Sequence, residues 1–185
     1  MEFSELLYVR ESCRHFSDRQ VEKEKLERIL TAASLAPSGC NSQPWHFTVI
    51  SQEPEKEMLR EMIVRGAEDE STKLNLFVRE VPVFVVITEE HAKLLPAPEK
   101  KYGSQHFAQI DVGLCAAYLT FAAADEGLGS CMIGMFQDEK VKELVGAPHE
   151  STVRLVVALG YSADQKAPRK KVRRSIAESV SYGKR

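Results

Sequence analysis

The sequence predicts one α+β domain. Helical stripes alternate with strand-like runs along the chain. One of those runs, residues 83–87, is continuously apolar and rich in β-branched residues, as in a strand buried on both faces of a sheet, and residues 153–159 read as another strand of the buried type. No internal repeat or linker interrupts the 185 residues, a length that fills one core and leaves a second full domain cramped. The 43% hydrophobic and 28% charged composition belongs to a globular chain rather than a disordered one, and a net charge of −2 sets up no global attraction to nucleic acid or an anionic membrane. No continuous apolar run approaches the roughly 20 residues that cross a bilayer. Residues 1–10 carry two glutamates and no signal-peptide core, so a cytoplasmic location is expected.

Element by element, Phe3, Leu6 and Leu7 form a short helical stripe ending near Arg10. Ser17 with Gln20 reads as a capping box ahead of a helix carrying Leu26, Ile29, Leu30 and Ala33, with Pro37 just beyond its end. Residues 46–50 read as a strand. Pro54 opens the next helix, with Met58, Leu59, Met62 and Ile63 on its buried face. After the strand at 83–87, residues 89–105 read as a loop because of Pro96 and Pro98. Residues 107–126 form the longest helix, apolar around much of its circumference and therefore buried in a core or against a partner, and Gly127 ends it. A short strand around Cys131 precedes a helix at 138–145, stopped by Gly146 and Pro148. The strand at 153–159 leads to a basic, extended arm at 167–185.

The four cysteines, Cys13, Cys40, Cys115 and Cys131, form no CxxC pair, and the five histidines show no HExxH or HxxxH spacing, so no metal site is expected. Cys40 lies near His46, which admits a nucleophile, but reduced, inert thiols are the expected reading.

Two segments could carry chemistry. Arg10, Ser12 and Arg14 alternate, which in extended chain turns all three to one side. Two guanidinium forks and a hydroxyl suit a phosphate or the polar edge of a heterocycle, and equally a solvated face. More specific is the turn-rich stretch Ala36, Pro37, Ser38, Gly39, Cys40, Asn41, Ser42, Gln43, Pro44, Trp45. Its prolines stiffen it and its small residues let backbone approach a flat ligand. Asn41 and Gln43 each offer donors and an acceptor, which a pyrimidine edge requires. Trp45 is apolar enough to be core.

Taken with Glu11, Cys13, His15 and Phe16, the first segment followed by residues 36–45 resembles the opening signature of the nitroreductase-like flavoproteins. The stretch Gly127, Leu128, Gly129, Ser130, Cys131, Met132, Ile133, Gly134 and the basic arm agree with that pattern. The resemblance implies a central, mostly antiparallel sheet flanked by helices, an interlocked homodimer, and FMN at the dimer interface. Residue by residue, it implies that Arg10, Ser12 and Arg14, with Glu11 in the same segment, hold the phosphate and the polar side of the flavin. Pro37, Ser38 and Asn41, with Gly39 and Gln43, line the ring from the other subunit. The backbone around Ile133 and Gly134 faces flavin N5, and Lys171 and Arg173 close on the phosphate. Physical chemistry favours these roles independently: a phosphate needs several cations, and each charge-assisted hydrogen bond contributes about 1.5–3 kcal/mol. Three features depart from the pattern. Glu11 stands where relatives often have a basic residue, Gly39 replaces a common hydroxyl, and the central region is short, so residues 64–80 receive no role.

The Gly-rich stretch at 127–134 is not GxGxxG and follows a helix rather than a strand, which excludes a Rossmann site. The basic cluster of the arm lacks interleaved aromatics, so a solvated arm with two ligand-facing members is expected in place of a nucleic-acid contact. The implied activity is ping-pong transfer of hydride from NADH or NADPH, through the flavin, to small electrophilic molecules such as nitroaromatics or quinones. The flavin carries the chemistry, so no catalytic side chain is nominated. The alternatives are an FMN carrier without turnover and other flavin chemistry on the same scaffold, such as reductive dehalogenation, for which no lid segment is visible.

Overall fold

A computed structural model of the chain describes residues 1–65 (the last as backbone), 75–164 and 167–184. Of the segment left without a role, residues 66–74 lie outside these. The elements run α1 (Phe3–Val9), α2 (Lys23–Ser34), β1 (Trp45–Ile50), α3 (Glu55–Arg65), β2 (Val83–Glu89), α4 (Pro96–Tyr102), α5 (Ala108–Asp125), β3 (Gly129–Ile133), α6 (Asp138–Leu144), β4 (Thr152–Gly160) and α7 (Ile176–Ser179). The four strands make one sheet in the order β1-β2-β4-β3, antiparallel throughout. The expected α+β class and antiparallel sheet are therefore what the chain adopts.

β2 is buried along its whole length, and its alternation divides the core. Phe84 and Val86 pack with Leu59, Ile63 and Val141 from α3 and α6 on one face. Val83, Val85 and Ile87 pack with Ile29, Ala33, Cys115, Ala116 and Leu119 from α2 and α5 on the other. A bulge opposite Ile87 and Thr88 skips Arg154 in the β4 register, so Val153 and Val156, three residues apart, share the α3/α6 face. Trp45 is core, on the α2/α5 face.

α5 meets the length and mean hydropathy of a membrane-crossing helix, a property hidden from a search for unbroken apolar runs because Gln109, Asp111 and Thr120 interrupt it. Half of its apolar window is buried within the chain, against the sheet and α2. A second stripe, Ile110, Leu114 and Tyr118 at intervals of four, stays exposed. At the helix end Gly127 takes φ +76, and Leu128 N–H donates to the Ala123 carbonyl, closing a Schellman turn.

Several local expectations are corrected. Ser17 caps nothing: α2 starts at Lys23 with Glu22 at its N-cap, while Ser17 N–H donates to the Tyr161 carbonyl. Among the described residues the capping box is Ser175 with Glu178, at the start of α7 in the arm expected to be extended. Met58 is exposed and Met62 half-buried; among the described residues of α3, Leu59 and Ile63 alone are fully buried. Residues 89–105 are not all loop. Glu89 ends β2, and α4 begins with Pro96 at its first position, where the missing N–H costs no hydrogen bond.

The sheet's edge at β3 is partly closed by residues 12–13: Ser12 bridges Ser130 in parallel, and Cys13 N–H donates to the Ser130 carbonyl at 2.9 Å. Gly129 permits this approach, because a Cβ there would stand 2.7 Å from Cys13 Cβ and 2.8 Å from its Sγ. Gly129→Ala is therefore expected to push residues 10–14 off β3 and cost about 1–3 kcal/mol, measured by urea unfolding. An unchanged midpoint would show that the segment gives way freely.

Candidate functional site

Three of the stretches singled out in the sequence meet along β3. The bridge to Ser130 fixes residues 10–14 there, and a cavity of about 710 Å³ opens around them, bounded also by residues 127–130 and 167–169. A smaller cavity of about 200 Å³ joins Arg14 to Ile133 and Gly134, with Phe77 as an apolar wall; the Arg14 guanidinium stands 5.9 Å from that ring centre. Nothing lies within 4 Å of where a Gly134 Cβ would be, so its backbone is open to a flat partner.

The C-terminal arm crosses this edge. Lys171 Nζ donates to the Arg10 carbonyl at 2.7 Å. Arg169 gives its backbone N–H (3.1 Å) and Nε (3.0 Å) to one oxygen of Glu11 and its Nη2 to the Ser12 carbonyl (2.9 Å). Glu11 is thus engaged in holding the arm. Burial works against its ionisation, but the Arg169 hydrogen bonds and charge, with Lys171 nearby, outweigh this and hold the carboxyl below its usual range. Lys171 shows the opposite pressure. Burial first, then the like charges of Arg10, Arg173 and Arg169, push its ammonium downward against the pull of Glu11. Arg173 bonds within this structure to the neighbouring Val172 carbonyl. The cluster is cation-rich, and its one acid neighbour at Lys171 is already bound to Arg169.

Pro37, Ser38, Gly39, Asn41 and Gln43 are not brought to this edge. Their loop leads into β1 at the opposite margin of the sheet, three strand spacings or about 14 Å from β3. It is a strained, self-braced turn: Cys40 (φ 54), Asn41 (φ 53) and Gln43 (φ 47) are left-handed, a conformation costing side-chain-bearing residues about 1–2 kcal/mol. Ser38 Oγ accepts from Gln43 N–H at 2.9 Å, and Gln43 Nε2 donates to the Asn41 carbonyl at 3.1 Å. Gly39 lies against Phe107, and its N–H donates to both oxygens of Asp111, each at 3.1 Å.

The thiols have no nucleophile's setting. Burial pushes Cys115 up to about 12 and raises Cys131. His46 faces Glu90 at 3.9 Å instead of Cys40. Sequence reasoning missed Asp111 and Arg169. Asp111 left a signal, a single acid inside an apolar helix; Arg169 was one of seven cations in the arm and left none.

With this geometry in place, comparison with known proteins gives the family. The profile described as the Nitroreductase family matches residues 7–161. A relative from Archaeoglobus fulgidus, whose name proposes an NADH dehydrogenase or NAD(P)H nitroreductase, is 34% identical over 87% of this chain and 86% of its own length. An iodotyrosine deiodinase from Thermotoga neapolitana is 28% identical over 85% of this chain and 87% of its own. Among solved structures, a nitroreductase family protein from Streptococcus pneumoniae TIGR4 superposes with TM-score 0.83 at 23% identity, covering 98% of this chain and 100% of that one. One from Exiguobacterium sibiricum 255-15, named as a nitroreductase and crystallised with FMN, gives 0.81 at 23% identity over 98% and 97%. This chain belongs to the nitroreductase family.

The Glu11–Arg169 clasp yields a coupling prediction. Glu11→Ala and Arg169→Ala should each leave global stability within about 1 kcal/mol, as surface pairs do, yet speed tryptic cleavage of the arm several-fold, and the double variant should cleave no faster than either. Because the Glu11 carboxyl is depressed, its contribution is present above the ordinary carboxylate range and is lost as pH falls through the lowered value, so release of the arm in the parent chain, read by amide hydrogen exchange, should rise only below the ordinary carboxylate range. Additive effects in the double variant would mean that the two residues act separately.

Proposed function

We propose that this protein is an FMN-dependent oxidoreductase that takes hydride from NADH or NADPH and delivers it to small electrophilic acceptors such as nitroaromatics or quinones. The observation that carries this reading is the meeting of Arg10, Ser12, Arg14 and Lys171 with the open Ile133–Gly134 backbone along one sheet edge, in a chain of this family.

The residues fit a flavin nucleotide. A terminal phosphate with nearly two negative charges matches the cation excess around Lys171, where burial first and then the like charges of Arg10, Arg173 and Arg169 push the ammonium pKa down. Arg10, Arg14, Lys171 and Arg173 would hold that phosphate, with Ser12 beside it. A flat ring requires backbone without protruding side chains, and Gly134 supplies it. The chemistry the bound group supplies is two-electron hydride exchange at flavin N5; the protein binds and orients, and no side chain acts as nucleophile.

Pro37, Ser38, Gly39, Asn41 and Gln43 would line the ring from a second copy of the chain, since their own lies at the far margin of the sheet. A homodimer also accounts for the exposed Ile110–Leu114–Tyr118 stripe and for Val172, Ile176 and Tyr182 standing exposed on the arm. In this reading residues 1–185 form a single unit whose arm begins at about 167.

A second reading rests on the deiodinase relative: the same reduced flavin would remove iodide from a halogenated phenol. Both readings share one test. Protein reconstituted with FMN is mixed anaerobically with NADH or NADPH, and the flavin absorbance is followed. A carrier stays yellow and overturns the proposal. An oxidoreductase bleaches, and re-oxidation by a nitroaromatic, a quinone or an iodinated phenol separates the acceptors.

Phosphate recognition has its own signature. Arg14→Ala should weaken FMN binding by about tenfold or more, the loss of one charge-assisted contact, while riboflavin binding changes little. Equal losses by titration calorimetry would move Arg14 from the phosphate to the ring.

A further inference from the structure

Asp111 is the one acidic residue buried in α5. It is 3% exposed, and among the described residues it has no cationic partner. Burial pushes its carboxyl pKa up, opposed only by the Gly39 hydrogen bond. A charge placed this way weakens the fold, because ionised groups lose hydration on burial, and its position in the first turn of α5 offsets that only in part. Packing alone would be served better by an apolar or amide side chain. What the carboxylate does is grip the loop: both oxygens accept the Gly39 N–H, at 3.1 Å each, while Phe107, the residue that precedes α5, forms the floor on which Gly39 rests. The three left-handed residues lie just beyond that anchor, at 40, 41 and 43, and relaxation of any of them would unwind the turn.

We propose that Asp111 is a positioning residue for flavin binding, holding the strained loop from Ser38 to Gln43 in the shape that meets the ring. This rests on the flavin reading above and deepens it. Asp111 touches no ligand itself; it acts through Gly39. Phosphate contacts belong to a different edge of the sheet, so loss of Asp111 should impair recognition of the ring and spare recognition of the phosphate.

The test uses full-length protein and two probes, FMN and riboflavin. Asp111→Ala should raise amide exchange across residues 38–43 by about tenfold, and weaken FMN and riboflavin binding by equal factors of about ten or more. Its melting temperature at neutral pH should be unchanged or higher, since a buried charge has gone. Asp111→Asn keeps the volume and one acceptor oxygen, and should restore most of both affinities. If the alanine variant does not fold, Asp111→Ser, too short to reach Gly39, takes its place with the same expectation. Flavin affinities within twofold of the parent in either folded variant would overturn the proposal, as would a loss confined to FMN. The parent protein is the control: if it takes up no flavin, the flavin reading itself fails, whereas parent binding with unimpaired variants fails only the role of Asp111.

Discussion

The close approach of residues 12–13 to β3 is the constraint on which the rest of the site depends. An edge strand leaves unpaired backbone groups along one side, and here Ser12 and Cys13 take up part of that side at Ser130. The approach is possible only because Gly129 has no Cβ to meet Cys13. Once the segment is in place, Arg10 and Arg14 are fixed at the sheet margin, and their backbone becomes the surface on which the arm docks: Lys171 on the Arg10 carbonyl, Arg169 on Glu11 and the Ser12 carbonyl. An edge that would otherwise invite a foreign strand is thereby turned into a place where cations gather.

In the proposed reading, the sheet order leaves a single chain with part of the site at each margin. β1 and β3 are the two margins, separated by β2 and β4. The polar loop enters one margin and the arginine segment lines the other, so in the proposed assembly each margin finds its complement on a second copy. α5 serves both needs. One side packs under β2 and β4, the other leaves Ile110, Leu114 and Tyr118 exposed, and its N-terminal end carries Asp111 and the preceding Phe107 to the loop. A helix apolar nearly all round suits an element with an apolar neighbour on each side.

Much of this was legible in the sequence. The buried strands β2 and β4, the long helix and the glycine that ends it follow from hydrophobic periodicity and from the rule that helices close on a left-handed residue, both local properties. Trp45 as core was legible for the same reason. What failed was also local, but ambiguous: Ser17 with Gln20 and Ser175 with Glu178 both spell a capping box, and only the second lies where a helix starts. The prolines at 96 and 98 read as breakers because sequence alone does not say whether a proline sits inside a helix or at its first turn. For the site, alternation in residues 10–14 was readable; the clasp between Glu11 and Arg169 was not, because 158 residues separate the partners and any of the arm's cations could have matched.

Core and margin divide the labour in this chain. The sheet interior is apolar on both faces, and of the polar exceptions at the end of β2, Glu89 is paired with Arg154 at 2.5 Å, while the Thr88 hydroxyl is buried with no hydrogen-bond partner among the described residues. Nearly every group assigned to ligand binding lies on irregular chain at the edges, including the strained loop and the arm. Changes there alter local docking more than global stability, because few buried apolar contacts depend on them. Asp111 is the exception that links the two layers. It is a buried acid within a core helix, placed where the rigid core braces a strained loop at Gly39.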